Sequence, residues 1–98
     1  MSIIESLQFK DELRKIALYI KRDKKSAAVK FVTNLKEQIN NLTTSPFKYR
    51  KSVYFDDDNI RDMTYYGYTI IYEIKDDNTI IIFTIFNKNL PKISQIQE

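Results

Sequence analysis

The sequence predicts an α+β fold: an N-terminal helical hairpin packed on one face of a twisted antiparallel sheet of three to four strands, in two layers. Three observations carry this. The first 42 residues hold two apolar stripes at helical spacing. The stretch from Asn59 to Phe86, NIRDMTYYGYTIIYEIKDDNTIIIFTIF, holds three runs dense in β-branched and aromatic residues. The only glycine of the chain, Gly67, sits in the break between the first two runs, where a tight turn demands a backbone angle that a side chain opposes.

Taken in order, Ser2 to Glu5 reads as a short edge strand and Ser6 as a helix N-cap, its hydroxyl able to accept from the free amides of the next turn. Phe9, Leu13, Ile16, Ala17 and Ile20 then mark one helical face, with Asp11 and Lys15 an i, i+4 pair outside it. The basic run Lys21 to Lys25 ends this helix, since cations favour the negative end of the dipole. Ser26 is the candidate cap of a second helix with the stripe Ala28, Phe31, Val32, Leu35, Ile39 and Leu42, stopped before Pro46. Val53-Tyr54-Phe55 has strand composition, Lys48 to Lys51 reads as an exposed approach to it, and Asp56 to Asn59 as a turn. The runs Ile60 to Tyr65, Tyr68 to Ile74 and Thr79 to Phe86 make a meander. The last is apolar on both faces and belongs inside the sheet, whereas the first can leave a face wet. With both helices on one side, the opposite sheet face is expected to meet water or a partner. Past Phe86 the chain turns polar, and Ile93 and Ile96 are the apolar anchors left to a tail.

At 98 residues there is room for one domain spanning residues 1–98. Hydrophobic content of 43% and charged content of 30% suit a globular protein, and no apolar run approaches the roughly 20 residues of a membrane helix. The first residues lack a basic region followed by a long apolar one, so no signal peptide is evident and a cytoplasmic location is expected. The absence of cysteine excludes disulfides and thiolate metal sites. The absence of histidine removes the commonest general base, the usual metal ligand and the standard nucleophilic triads. No cofactor and no metal is expected: Asp56-Asp57-Asp58-Asn59 lacks the glycine and later glutamate of a calcium loop.

The net charge of +3 is uneven, with nine Lys/Arg against five Asp/Glu through Ser45 and seven against eight thereafter. Two clusters carry the excess. Lys21, Arg22, Lys24 and Lys25 suit a helix C-terminus. Lys48, Arg50 and Lys51 around Tyr49 interleave cation and aromatic, as either a phosphate-contacting, base-stacking surface or a solvated loop would.

This order of elements resembles the RelE/ParE family of bacterial type II toxins. The resemblance spans about Ile3 to Pro91 and rests on Pro46-Phe47-Lys48-Tyr49-Arg50-Lys51-Ser52, Ile60-Arg61-Asp62-Met63, Tyr66-Gly67-Tyr68-Thr69-Ile70-Ile71-Tyr72 and Ile82-Phe83-Thr84-Ile85-Phe86. It implies two helices against an antiparallel sheet, and a cytoplasmic toxin held inactive by a cognate antitoxin. Through that antitoxin the toxin would reach operator DNA, and an apolar, acidic antitoxin segment is expected to cover the helical hairpin or the open sheet face. ParE-like members inhibit DNA gyrase; RelE-like members cut messenger RNA on the ribosome. Nuclease members often carry arginine right after the tyrosine of the Gly-Tyr pair, and arginine, histidine or tyrosine at the end of the last strand. This chain has Thr69 and Asn87-Lys88-Asn89 there, which favours gyrase inhibition over RNA cleavage. A third alternative is a degenerate member that only binds antitoxin and DNA.

RNA cleavage through the substrate's own 2′-hydroxyl needs a base, an acid and positive charge for the phosphorane. Arg50, Lys51, Arg61 and Lys88 are the candidates for charge, with Tyr49 or Tyr65 for positioning; if the chain is a nuclease, Arg61 and Lys88 are the catalytic pair expected. As a binding surface, the expected contacts are Lys48, Tyr49, Arg50, Lys51, Arg61 and Lys88. Arg61 and Asp62 are neighbours on a strand and must point to opposite faces.

Overall fold

A computed structural model describes residues 1–87. The elements run β1 (Ser2–Glu5), α1 (Leu7–Asp23), α2 (Lys25–Asn40), a 3-10 turn (Asn41–Thr43), β2 (Arg50–Lys51), β3 (Ile60–Tyr65), β4 (Tyr68–Ile74) and β5 (Thr79–Asn87). They form one sheet in the order β1-β5-β4-β3-β2, antiparallel except for β1, which lies parallel to β5.

Local chemistry accounts for the helix and turn boundaries. Ser6 caps α1, its hydroxyl oxygen accepting from the Phe9 N–H at 2.9 Å while its O–H donates to the Phe83 carbonyl at 2.7 Å. One side chain therefore starts the helix and ties it to β5. Glu12, two turns on, receives the Thr84 hydroxyl at 2.6 Å and the Ile85 N–H at 3.0 Å on one oxygen. The β1–β5 pairing ends at Glu5 and Ile82, so these two residues satisfy the β5 edge where β1 stops. Replacing Ser6 by alanine removes both a cap and a cross-element bond. Urea unfolding should show a loss of about 2 kcal/mol with an unchanged m value.

Lys24 alone joins the helices: its extended backbone, φ −155° and ψ 115°, ends one and begins the other. Ser26, expected as the cap of α2, lies inside its first turn instead, and no side chain caps that end. Tyr66 and Gly67, with φ of 48° and 83°, form the β3–β4 turn. Positive φ at both positions is what a two-residue hairpin requires for its twist to match that of the flanking strands.

Phe9 and Leu13 from α1, Leu35 and Ile39 from α2, and Met63, Tyr65, Ile70, Tyr72, Ile80, Ile82 and Ile85 from the sheet share one buried cluster. The sheet residues alternate along β3 and β4, as a strand with one covered face must. A bulge in β5 opposite Ile71 and Tyr72 resets that alternation, so that Ile82 and Ile85 both reach the core.

Two expectations are corrected. The sheet has five strands rather than three or four, because Ser2–Glu5 pairs in parallel with β5 and because the second strand falls earlier than expected. Arg50 and Lys51 pair with Asp62 and Arg61, whereas Val53-Tyr54-Phe55 bends away from the ladder despite its strand composition. Nor is the sheet face opposite the helices left open. Asp62, Thr69 and Ile71 on that face are buried. The segment after β2 folds across it: the Val53 N–H donates to Asp62 Oδ2 at 3.0 Å, and Tyr54 meets Phe86 edge-on at 5.6 Å between centroids.

Candidate functional site

The residues expected to form a site converge on the segment from Pro46 to Lys51 and on the adjacent start of β3. Two core residues shape this segment. Tyr72, fully buried, sends its hydroxyl to the Pro46 carbonyl at 2.6 Å. Burial, only partly offset by the Arg61 guanidinium, pushes its phenol up to about 12. Arg61 lies beside it, donating from Nε to the Asp58 carbonyl at 2.9 Å and from Nη1 to the Tyr49 carbonyl at 3.1 Å. Its guanidinium also lies 4.8 Å from the centre of the Phe47 ring. Arg61 thus holds two loops together from the helix side of the sheet, while Asp62 points to the other face as strand alternation requires.

The remaining cations differ in how they are engaged. Arg50 reaches the buried Asp62 carboxylate at 3.7 Å. Lys51 is held by Asp56 at 3.1 Å and Asp58 at 3.5 Å; those acids raise its pKa, which keeps it charged. The run Asp56 to Asn59 is a turn as expected, with the Asn59 N–H donating to Asp57 Oδ1 at 2.8 Å and the Ile60 N–H to the Asp57 carbonyl at 3.1 Å. Lys48 sits 5.5 Å from the centre of its neighbour Tyr49 and makes no ion pair among the described residues. Tyr65 is buried and donates to the Phe31 carbonyl at 2.8 Å, and burial raises its pKa. Lys88 lies outside the described residues.

The structure therefore brings Lys48, Tyr49, Arg50, Lys51 and Arg61 together, with Arg50, Lys51 and Arg61 engaged by this chain's own carboxylates and carbonyls. Sequence reasoning missed Tyr72 and Asp62 as the groups that fix the loop. Their signal was a tyrosine and an aspartate inside strand patterns, each needing a partner once buried.

A second surface lies on the outside of the hairpin. Ala17, Leu18, Ala28, Val29 and Val32 line a shallow groove of about 340 Å³, with Arg14 and Lys21 on its rim. Leu18 is 49% exposed and Val29 58% exposed. Apolar residues on the solvent side of two packed helices leave a hydrophobic strip without a cover from this chain's described residues. In the sequence Leu18 and Val29 stand outside both core stripes, whereas Ala17, Ala28 and Val32 belong to them.

Residues 3–89 match the family model described as the ParE toxin of the type II toxin-antitoxin system, parDE. The chain belongs to the ParE toxin family. Solved structures agree on the ParE fold. A chain of the chromosomal ParDE toxin-antitoxin system from P. aeruginosa superposes with a TM-score of 0.72 at 21% identity, covering 89% of this chain and 95% of that one. A mutant of the E. coli toxin RelE, in complex with a peptide of the antitoxin RelBc, gives 0.66 at 11% identity, covering 99% of this chain and 93% of that one. No curated protein sequence matches the chain. No helix among the described residues of this ParE-family chain is long and apolar enough to cross a membrane.

Proposed function

We propose that this chain is a growth-arresting toxin that works by binding an essential target, DNA gyrase in the ParE manner, and that a cognate antitoxin neutralises it. The observation that carries binding over catalysis is the engagement of Arg61 and of the supporting candidates Arg50, Lys51 and Tyr65 among the described residues. Arg61 spends its guanidinium on two backbone carbonyls, Arg50 and Lys51 face carboxylates, and the Tyr65 hydroxyl donates to a buried carbonyl. A general base for RNA cleavage needs a pKa near neutrality, and the shifts of Lys51, Tyr65 and Tyr72 all run upward, away from it.

The antitoxin's place is the outer groove of the hairpin. An amphipathic helix laid there would bury Leu18 and Val29, and acidic residues on its flanks would meet Arg14 and Lys21. The P. aeruginosa and E. coli neighbours, one from a ParDE system and one bound to an antitoxin peptide, support such a partner.

Two assays on the purified chain test the target. Inhibition of gyrase supercoiling, with no ribosome-dependent cuts in toeprinting of translated messages, is the expected outcome. Cuts at message codons without gyrase inhibition would replace this reading with a RelE-like one. No effect in either assay, together with unimpaired growth on expression, would leave a member that only binds antitoxin and DNA.

A further inference from the structure

We propose that the tip of the helical hairpin, Lys21, Arg22, Lys24 and Lys25 with Tyr19, binds single-stranded nucleic acid through phosphate contacts and base stacking. The two basic clusters, alike in the sequence, are in opposite electrostatic states. At Arg50 and Lys51 nearby carboxylates take up the charge. At the tip all four cations are exposed, and none forms an ion pair among the described residues. Since Lys24 is the whole connection, the last turn of α1 and the first of α2 hold these cations within five consecutive positions. Such a density of exposed cations, four against the single carboxylate of Asp23, favours a polyanion that releases counterions on binding.

Tyr19 selects the kind of polyanion. Its ring is 69% exposed, one turn before Arg22 on the same side of α1. It borders two depressions: one of about 560 Å³ shared with Ile20, Arg22 and Asp23, and a mainly apolar one of about 460 Å³ shared with Tyr68, Ile85 and Phe86. An aromatic ring with open space at its borders, beside a guanidinium, suits a stacked base with its phosphate on the cation. Duplex DNA offers no unpaired base to such a ring. An acidic helix in the apolar groove would engage Leu18 and Lys21, whereas Tyr19 and Arg22 lie about a quarter turn round α1 and stay free.

The test uses fluorescence anisotropy of the purified chain with labelled oligodeoxythymidylate and oligouridylate of about 12 nucleotides, long enough to span a single-strand site. With four phosphate contacts, affinity should fall about 50-fold between 50 and 200 mM salt. The double variant Lys24→Ala, Lys25→Ala should roughly halve the logarithmic salt slope. Tyr19→Ser should lose about tenfold in affinity, while Tyr19→Phe keeps it. All these positions are exposed, and unchanged thermal melts would confirm that the fold is intact. The proposal is overturned by absent binding at 50 mM salt, by tighter binding to a duplex of equal length, or by a loss from Lys48→Ala as large as that from the tip variants. It is overturned equally if polyglutamate competes as well as the oligonucleotides and Tyr19→Ser has no effect, which would mark a site for acidic protein. None of these readouts depends on gyrase inhibition, so this inference and the toxin reading can fail separately.

Discussion

Tyr72→Ala is expected to remove about 5 kcal/mol of stability, a large part of what a domain of this size possesses. The side chain is fully buried in the central strand of the sheet, so its removal leaves a cavity in the buried cluster beside Ile82, its partner on β5, as well as losing transfer energy. Its hydroxyl also satisfies the Pro46 carbonyl, so the segment bearing Lys48 and Tyr49 should loosen with it. Tyr72→Phe separates the two effects: the ring stays, and the cost should drop to about 1 kcal/mol for the bond. Urea denaturation of the three proteins measures both steps. The same phenol makes stability fall at high pH. Its folded value of about 12 lies above the unfolded 10, so the neutral form is the one the fold favours. The contribution, on the order of 3 kcal/mol, is fully present below pH 10 and is lost as pH rises toward 12. Tyr72→Phe should flatten that decline; a variant as alkali-sensitive as the parent would show that another group controls it.

The helices and the β3–β4 hairpin were legible because their signals are local. A stripe such as Phe9, Leu13 and Ile16 declares its own buried face, and one glycine between two β-rich runs declares a turn. Two kinds of information were not. The first is pairing at a distance. Val53-Tyr54-Phe55 has the better strand composition, yet Arg50 and Lys51 take the ladder because they are the residues that fall in register with Asp62 and Arg61. The bend that follows brings the Val53 N–H onto Asp62 and Tyr54 onto Phe86, covering a sheet face expected to stay open. The second is charge partnering. Both basic clusters stand beside aspartates in the sequence, Asp23 in one and Asp56 to Asp58 near the other, but only the second set curls back onto its lysine. The ranking of the two patches therefore reverses, and the tip that suited a helix end becomes the freer surface.

Val29→Asp is expected to separate toxicity from its control. Val29 is 58% exposed on the outer side of α2 and absent from the buried cluster, so a polar replacement there should change folding stability by no more than about 0.5 kcal/mol. In the proposed complex the same position would face the antitoxin's apolar side. A carboxylate buried there against apolar side chains costs several kcal/mol, which the exposed cations on the groove's rim offset only in part. The acidic flank expected of the antitoxin makes this worse, since like charges then meet at the groove where Arg14 and Lys21 had offered attraction. Antitoxin affinity should fall at least about 100-fold, mostly through faster dissociation. Titration of the purified pair by calorimetry checks the number. In cells, the variant co-expressed with its antitoxin should arrest growth as the unprotected parent does. If the antitoxin still neutralises Val29→Asp at parental affinity, the groove is not its seat. Leu18→Asp, across the same groove, provides an independent repeat from the other helix.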